Sequence, residues 1–69
     1  MVTIYQLMKN KKQIGDVYYN WGDAISNAMQ IVTDSRIGIW EHVEIWAAEE
    51  IDDIPVDCLE WTKVSEVWL

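Results

Sequence analysis

His42 and Cys58 carry the side chains most often used for nucleophilic or transition-metal chemistry, and the chain has one residue of each type. A nucleophilic site needs a thiol or hydroxyl within hydrogen-bond reach of a base, and a zinc site needs three or four donors at short spacing. His42 and Cys58 stand sixteen residues apart with no adjoining signature. They read as a half-exposed strand histidine and a small core cysteine, the usual fate of a free thiol.

The carboxylates come next. Glu49, Glu50, Asp52, Asp53 and Asp57 offer oxygen ligands to a hard cation. A calcium loop wants ligands at alternate positions, a central glycine and a terminal glutamate. That spacing is missing, and no glycine follows Gly38. Paired carboxylates also serve as the acid and base of glycosidases. A chain of 69 residues leaves little wall for a substrate cleft, since such pockets enclose ~300 Å³ or more. A glycine-rich phosphate loop is lacking as well. The expectation is a protein without catalytic residues, cofactor or metal site, and not an enzyme.

Charge is distributed unevenly. Residues 1–40 hold four bases (Lys9, Lys11, Lys12, Arg36) and three acids, a net of +1. Residues 41–69 hold nine acids against Lys63 alone, a net of −8, giving −7 overall. Such a balance repels nucleic acid at long range, so direct nucleic-acid binding is not expected. The Lys9-Asn10-Lys11-Lys12 cluster reads as a solvated turn that discourages edge pairing, also available to steady an acidic neighbour in the fold.

The acidic half carries the sharper hypothesis. Outward residues on a strand repeat every ~6.6–6.8 Å, close to the phosphate spacing along one nucleic-acid strand. Glu44 and Glu50, continued by Asp52, Asp53, Asp57 and Glu60, are expected to imitate a phosphate track, with Glu49 adding charge to the same interface. A basic groove in another protein would attract such a track quickly. Trp46, on the strand face of Glu44 and Glu50, is the expected aromatic anchor.

These residues need elements to hold them. Residues 2–8 and 13–19 are β-branched and aromatic and flank the basic turn, which predicts a hairpin, with Gly15 marking a bulge or close backbone approach. Trp21, Ala24, Ile25, Ala28, Met29 and Val32 fall on one face of a helix over 21–33. Asn20 and Asp23 suit its N-terminus as a capping-box pair, and Thr33-Asp34-Ser35 with Gly38 stops it. Residues 39–50 alternate as a strand: Val43, Ile45 and Ala47 face one way, and His42, Glu44, Trp46 and Ala48 the other. Residues 51–55 form a loop ending in Pro55. Residues 56–69 read as one or two short strands, with a short helix after Pro55 as the rival.

The order β-β-α-β-β predicts an α+β domain of two layers, one amphipathic helix packed on a small antiparallel sheet. Residues 1–69 make a single domain. A chain this short buries only about 60% of its unfolded surface, and five Trp with three Tyr enrich its core. Homodimerisation is a second route to bury more surface. One cysteine forms no internal disulfide and fits a reducing compartment. The opening residues do not read as a signal peptide, and no apolar run approaches the ~20 residues of a membrane span. A cytoplasmic protein without membrane contact is expected.

Shortness, acidity, a lone helix framed by short strands and the lack of catalytic groups resemble a class of small proteins from bacteriophages and mobile elements. These block host machinery: anti-CRISPR proteins, anti-restriction DNA mimics and inhibitors of host polymerase. The resemblance implies a non-enzymatic inhibitor that occupies the basic nucleic-acid groove of a host defence complex. It transfers no functional residue by position, and the basic hairpin turn departs from an evenly acidic mimic. The alternative from another class is a small self-associating assembly module that uses exposed tryptophans.

Overall fold

The basic turn closes a hairpin. In the computed structural model, which describes residues 2–9, 11–34 and 42–68, β1 (Thr3–Lys9) pairs antiparallel with β2 (Lys12–Tyr18), and Lys9 stands opposite Lys12. Lys11 occupies the left-handed region at φ 66°, which a lysine adopts at some cost. The register shifts between Tyr5 and Leu7, because four steps along β2 (Ile14 to Tyr18) match two along β1. Gly15 sits in that bulge at φ 69°, where a Cβ would lie 3.0 Å from the Tyr18 hydroxyl. The glycine expected to mark a bulge does so through both its dihedral and the space it leaves.

Helix α1 (Trp21–Asp34) follows. The Asp23 backbone N–H donates to Asn20 Oδ1 at 2.7 Å, and Asn20 Nδ2 donates to Asp23 Oδ2 at 2.8 Å. The first bond satisfies one of the unpaired donors at the helix start, and the second fixes the capping side chain. Ala24, Ala28 and Val32 are buried on one face of α1, while Trp21 and Met29 at its margins stay exposed. Trp21 meets Tyr5 edge to face with centroids 5.7 Å apart, seating the helix start on β1.

Strand β3 (His42–Glu49) lies between β1 and β4 (Thr62–Trp68), so the antiparallel sheet runs β2-β1-β3-β4. The part of the expected strand over 39–41, including Trp40, and the Ser35 and Gly38 stop signals lie outside the described residues. Pro55 opens a 3-10 turn (Val56–Cys58) before β4 begins. The two rival readings of this segment are therefore both realised, one after the other.

The sheet has two unequal faces. Leu7, Val43 and Ile45 are fully buried against α1, joined by Tyr5, Ile14, Tyr18 and Val67. On the opposite face a smaller cluster forms where Leu59 folds over Ile4 and Ala48, flanked by Val17 and Trp61. Cys58 corrects an expectation: it is exposed, because the 3-10 turn buries none of its residues and Leu59 takes the inward position. Among the described residues, no helix is long and apolar enough to cross a membrane.

Candidate functional site

The carboxylates of the acidic half separate into two groups with different surroundings. Glu49 ends β3, Glu50 follows it, Asp52 and Asp53 occupy the tip of a turn closed by Ile54 N–H donating to Ile51 O at 3.1 Å, Asp57 lies in the 3-10 turn and Glu60 precedes β4. This segment is tied down at both ends. Glu50 N–H donates to Val2 O at 2.8 Å, and Trp61 Nε1 donates to Val56 O at 2.9 Å. Leu59 anchors its middle. Glu50 accepts a long hydrogen bond from the Tyr19 hydroxyl at 3.5 Å. Among the described residues, no base comes within ion-pair distance of any of the six acids.

The register shows where the hairpin bases are. Thr3 at the start of β1 pairs with Glu49, whereas Lys9 at the end of β1 pairs with Lys12 in the hairpin. Six residues of strand separate these two ends, about 20 Å at the usual rise. That exceeds twice the Debye length of about 8 Å at physiological salt. The basic turn is thus too distant to steady residues 49–60, and the nearer Lys63 is engaged by Glu66 and Glu44.

Between this segment and the sheet lies a groove of about 560 Å³. Ala47, Ile51, Ile54, Cys58 and Leu59 supply its apolar and thiol lining, and Glu49 and Glu60 line it with charge. Ile51 and Ile54 are 46% and 38% exposed, large aliphatic surface set among carboxylates.

Glu44 and Trp46 belong elsewhere. They lie in β3 on the face that α1 leaves open, with His42, and are only partly exposed. Trp46 Nε1 donates to Glu44 Oε1 at 3.3 Å. Across the strand pair, Glu66 stands directly opposite Glu44, and Lys63 opposite Trp46. Two residues three apart on a regular strand point to opposite faces. Here the register shifts between Ile45 and Trp46, leaving Val64 without a counterpart, and this bulge brings Lys63 and Glu66 onto one face. Lys63 Nζ then hydrogen-bonds Glu66 Oε1 and lies 3.5 Å from Glu44 Oε2. Trp68 Nε1 donates to Glu66 Oε2 at 3.1 Å, and the Trp68 ring stacks on His42 at 4.2 Å and 18°. Bonding to Lys63, with help from Trp68, holds the Glu66 carboxyl below its ordinary pKa; the same bond to Glu66 raises the Lys63 ammonium above its own.

The structure therefore brings Glu49, Glu50, Asp52, Asp53, Asp57 and Glu60 together at one end and leaves Glu44 and Trp46 on the open sheet face within a charge-paired cluster. Sequence reasoning missed the partners Lys63, Glu66 and Trp68. The i, i+2 spacing of His42 and Glu44 was a visible signal for one side of that cluster, and no spacing announced the bulge. Searches for similarity matched no protein-family model, no curated protein and no solved structure.

Proposed function

We propose that this chain is a non-enzymatic binding protein that docks its anionic end onto the basic nucleic-acid groove of another protein and blocks it, in the manner of a phage inhibitor of a host defence complex. One observation carries this reading: six carboxylates without a basic partner among the described residues, on a segment pinned at both ends, about 20 Å from the nearest lysine turn. Pinning matters because an ordered charge pays less entropy on docking than a floppy one. The groove beneath the segment adds a seat for an aliphatic or aromatic side chain of the partner, ringed by charge that suits flanking lysines or arginines. The anchoring role expected of Trp46 passes to this groove, since the indole N–H of Trp46 is already bonded within the sheet face.

The test is capture from native host lysate by the immobilised protein at low and high salt, beside Glu49→Lys/Asp52→Lys/Asp57→Lys. A basic, nucleic-acid-handling partner that is released by salt and ignored by the variant supports the reading. A partner held equally by both proteins at every salt concentration contradicts it.

A specific feature favours self-association as the second reading. β4 is an edge strand, and its Val64 and Trp68 are 50% and 53% exposed. Sedimentation equilibrium decides between them: a stable dimer whose Trp68 fluorescence becomes shielded supports assembly, and a monomer at micromolar concentration rejects it.

A further inference from the structure

We propose that His42, Glu44 and Glu66 form a binding site for a divalent transition-metal ion such as Zn²⁺, in which the metal and the Lys63 ammonium compete for one position. One ligand atom from each of these three side chains lies within 4.8 Å of the other two. The imidazole nitrogen His42 Nε2 is 3.7 Å from Glu44 Oε2 and 4.0 Å from Glu66 Oε1. A tetrahedral zinc ion at its usual bond lengths holds such donors about 3.4 Å apart, so rotation of these half-exposed side chains has to draw the imidazole nitrogen and the two oxygens together from 3.7 and 4.0 Å.

The remaining atoms orient the donors. Each carboxylate has its other oxygen bonded to an indole N–H, Glu44 Oε1 to Trp46 and Glu66 Oε2 to Trp68. The oxygens left over are the pair that converge beside His42. Stacking on Trp68 fixes the imidazole plane. Neighbours that hold a ligand's second atom in this way set its direction toward a metal. An imidazole with two carboxylates suits zinc better than calcium or magnesium, which prefer all-oxygen shells.

Charge argues the same way. Glu44 and Glu66 face each other directly across β3 and β4, a repulsive arrangement for like charges. Lys63 offsets one of the two negative charges. A divalent ion offsets both, and it frees Lys63 to swing toward solvent on its four-carbon stem.

The experiment uses the full chain carrying Cys58→Ser, which removes an exposed thiol that would take zinc independently. Zn²⁺ chloride is titrated against tryptophan emission and by calorimetry. The expected result is saturable one-to-one binding, weakened at least about tenfold by His42→Ala and tightened about tenfold by Lys63→Met. Because His42 is the chain's sole histidine, its imidazole proton resonances report directly and must shift as zinc is added, a readout that needs no substitution within the site. Asp52→Asn/Asp53→Asn must leave the affinity unchanged. Silent histidine resonances, affinity indifferent to His42→Ala, or affinity lost in the Asp52→Asn/Asp53→Asn protein overturns the site. A Lys63→Met variant that binds no tighter overturns the competition.

Discussion

The anionic end and the open sheet face draw on the same acidic stretch of sequence and treat charge in opposite ways. On the sheet face, Glu44 and Glu66 are held by Lys63 and by two indole N–H groups, and the fold consumes their charge. At the other site Glu49 and the five acids that follow it pair with no described base and offer their charge to solvent. Charge that a fold neutralises internally contributes to packing. Charge that it gathers and leaves unmatched raises its own energy through repulsion and shapes encounters with other molecules. The two regions should therefore answer differently to every change in charge, salt or acidity.

The largest expected effect is on association. Glu49→Lys/Asp52→Lys/Asp57→Lys should weaken binding to a cationic partner by about a hundredfold or more, while its circular dichroism and melting curve stay close to those of the parent. Lys63→Met should do the reverse. It leaves Glu44 and Glu66 facing each other uncompensated, so the melting temperature should fall and partner binding should hold. A variant of either kind that changed both properties would erase the distinction between the regions.

Acidity sharpens the contrast. The Glu66 pKa is lowered in the folded protein, so its stabilising contribution is complete above the ordinary carboxylate range and is lost as pH falls through the lowered value. The Lys63 pKa is raised, so its contribution is complete below the usual lysine value and is lost only as pH climbs past the raised one. Melting curves of the parent and Glu66→Gln should thus differ at neutral pH and converge in acid.

Much of the fold was legible because it depends on local chemistry. The helix face of Ala24, Ile25, Ala28 and Val32, the Asn20–Asp23 cap and the Gly15 bulge are each written in residue type and spacing, and each is realised, with Trp21 and Met29 left at the exposed margin of that face. Asn20→Ala tests the cap and should cost about 1 kcal/mol in chemical denaturation. The open-face cluster was not legible. Its geometry depends on the single unmatched residue at Val64, which reverses the parity of β4 and turns Lys63 toward Glu66. Strand alternation read from sequence places those two side chains on opposite faces, and only the register of β3 against β4 reveals otherwise. Cys58 was misplaced for a related reason. An isolated thiol looks like core, but a 3-10 turn three residues long has room to send only its successor Leu59 inward.

The smallest effect concerns the hairpin. Lys11 pays for its left-handed backbone, so Lys11→Gly should stabilise the domain by a few tenths of a kcal/mol up to about 1 kcal/mol. Its position at the end of the sheet remote from Glu49 means that partner binding should not change.

The central claim is that unmatched charge at residues 49–60 guides this protein to its partner. The association rate constant for the captured partner, followed by stopped-flow fluorescence from about 0.05 M to about 0.5 M salt, tests that claim most directly. The account predicts a fall of at least about tenfold across that range for the parent protein and a nearly flat, slow rate for Glu49→Lys/Asp52→Lys/Asp57→Lys. Equal rates for the two proteins, unmoved by salt, would contradict it.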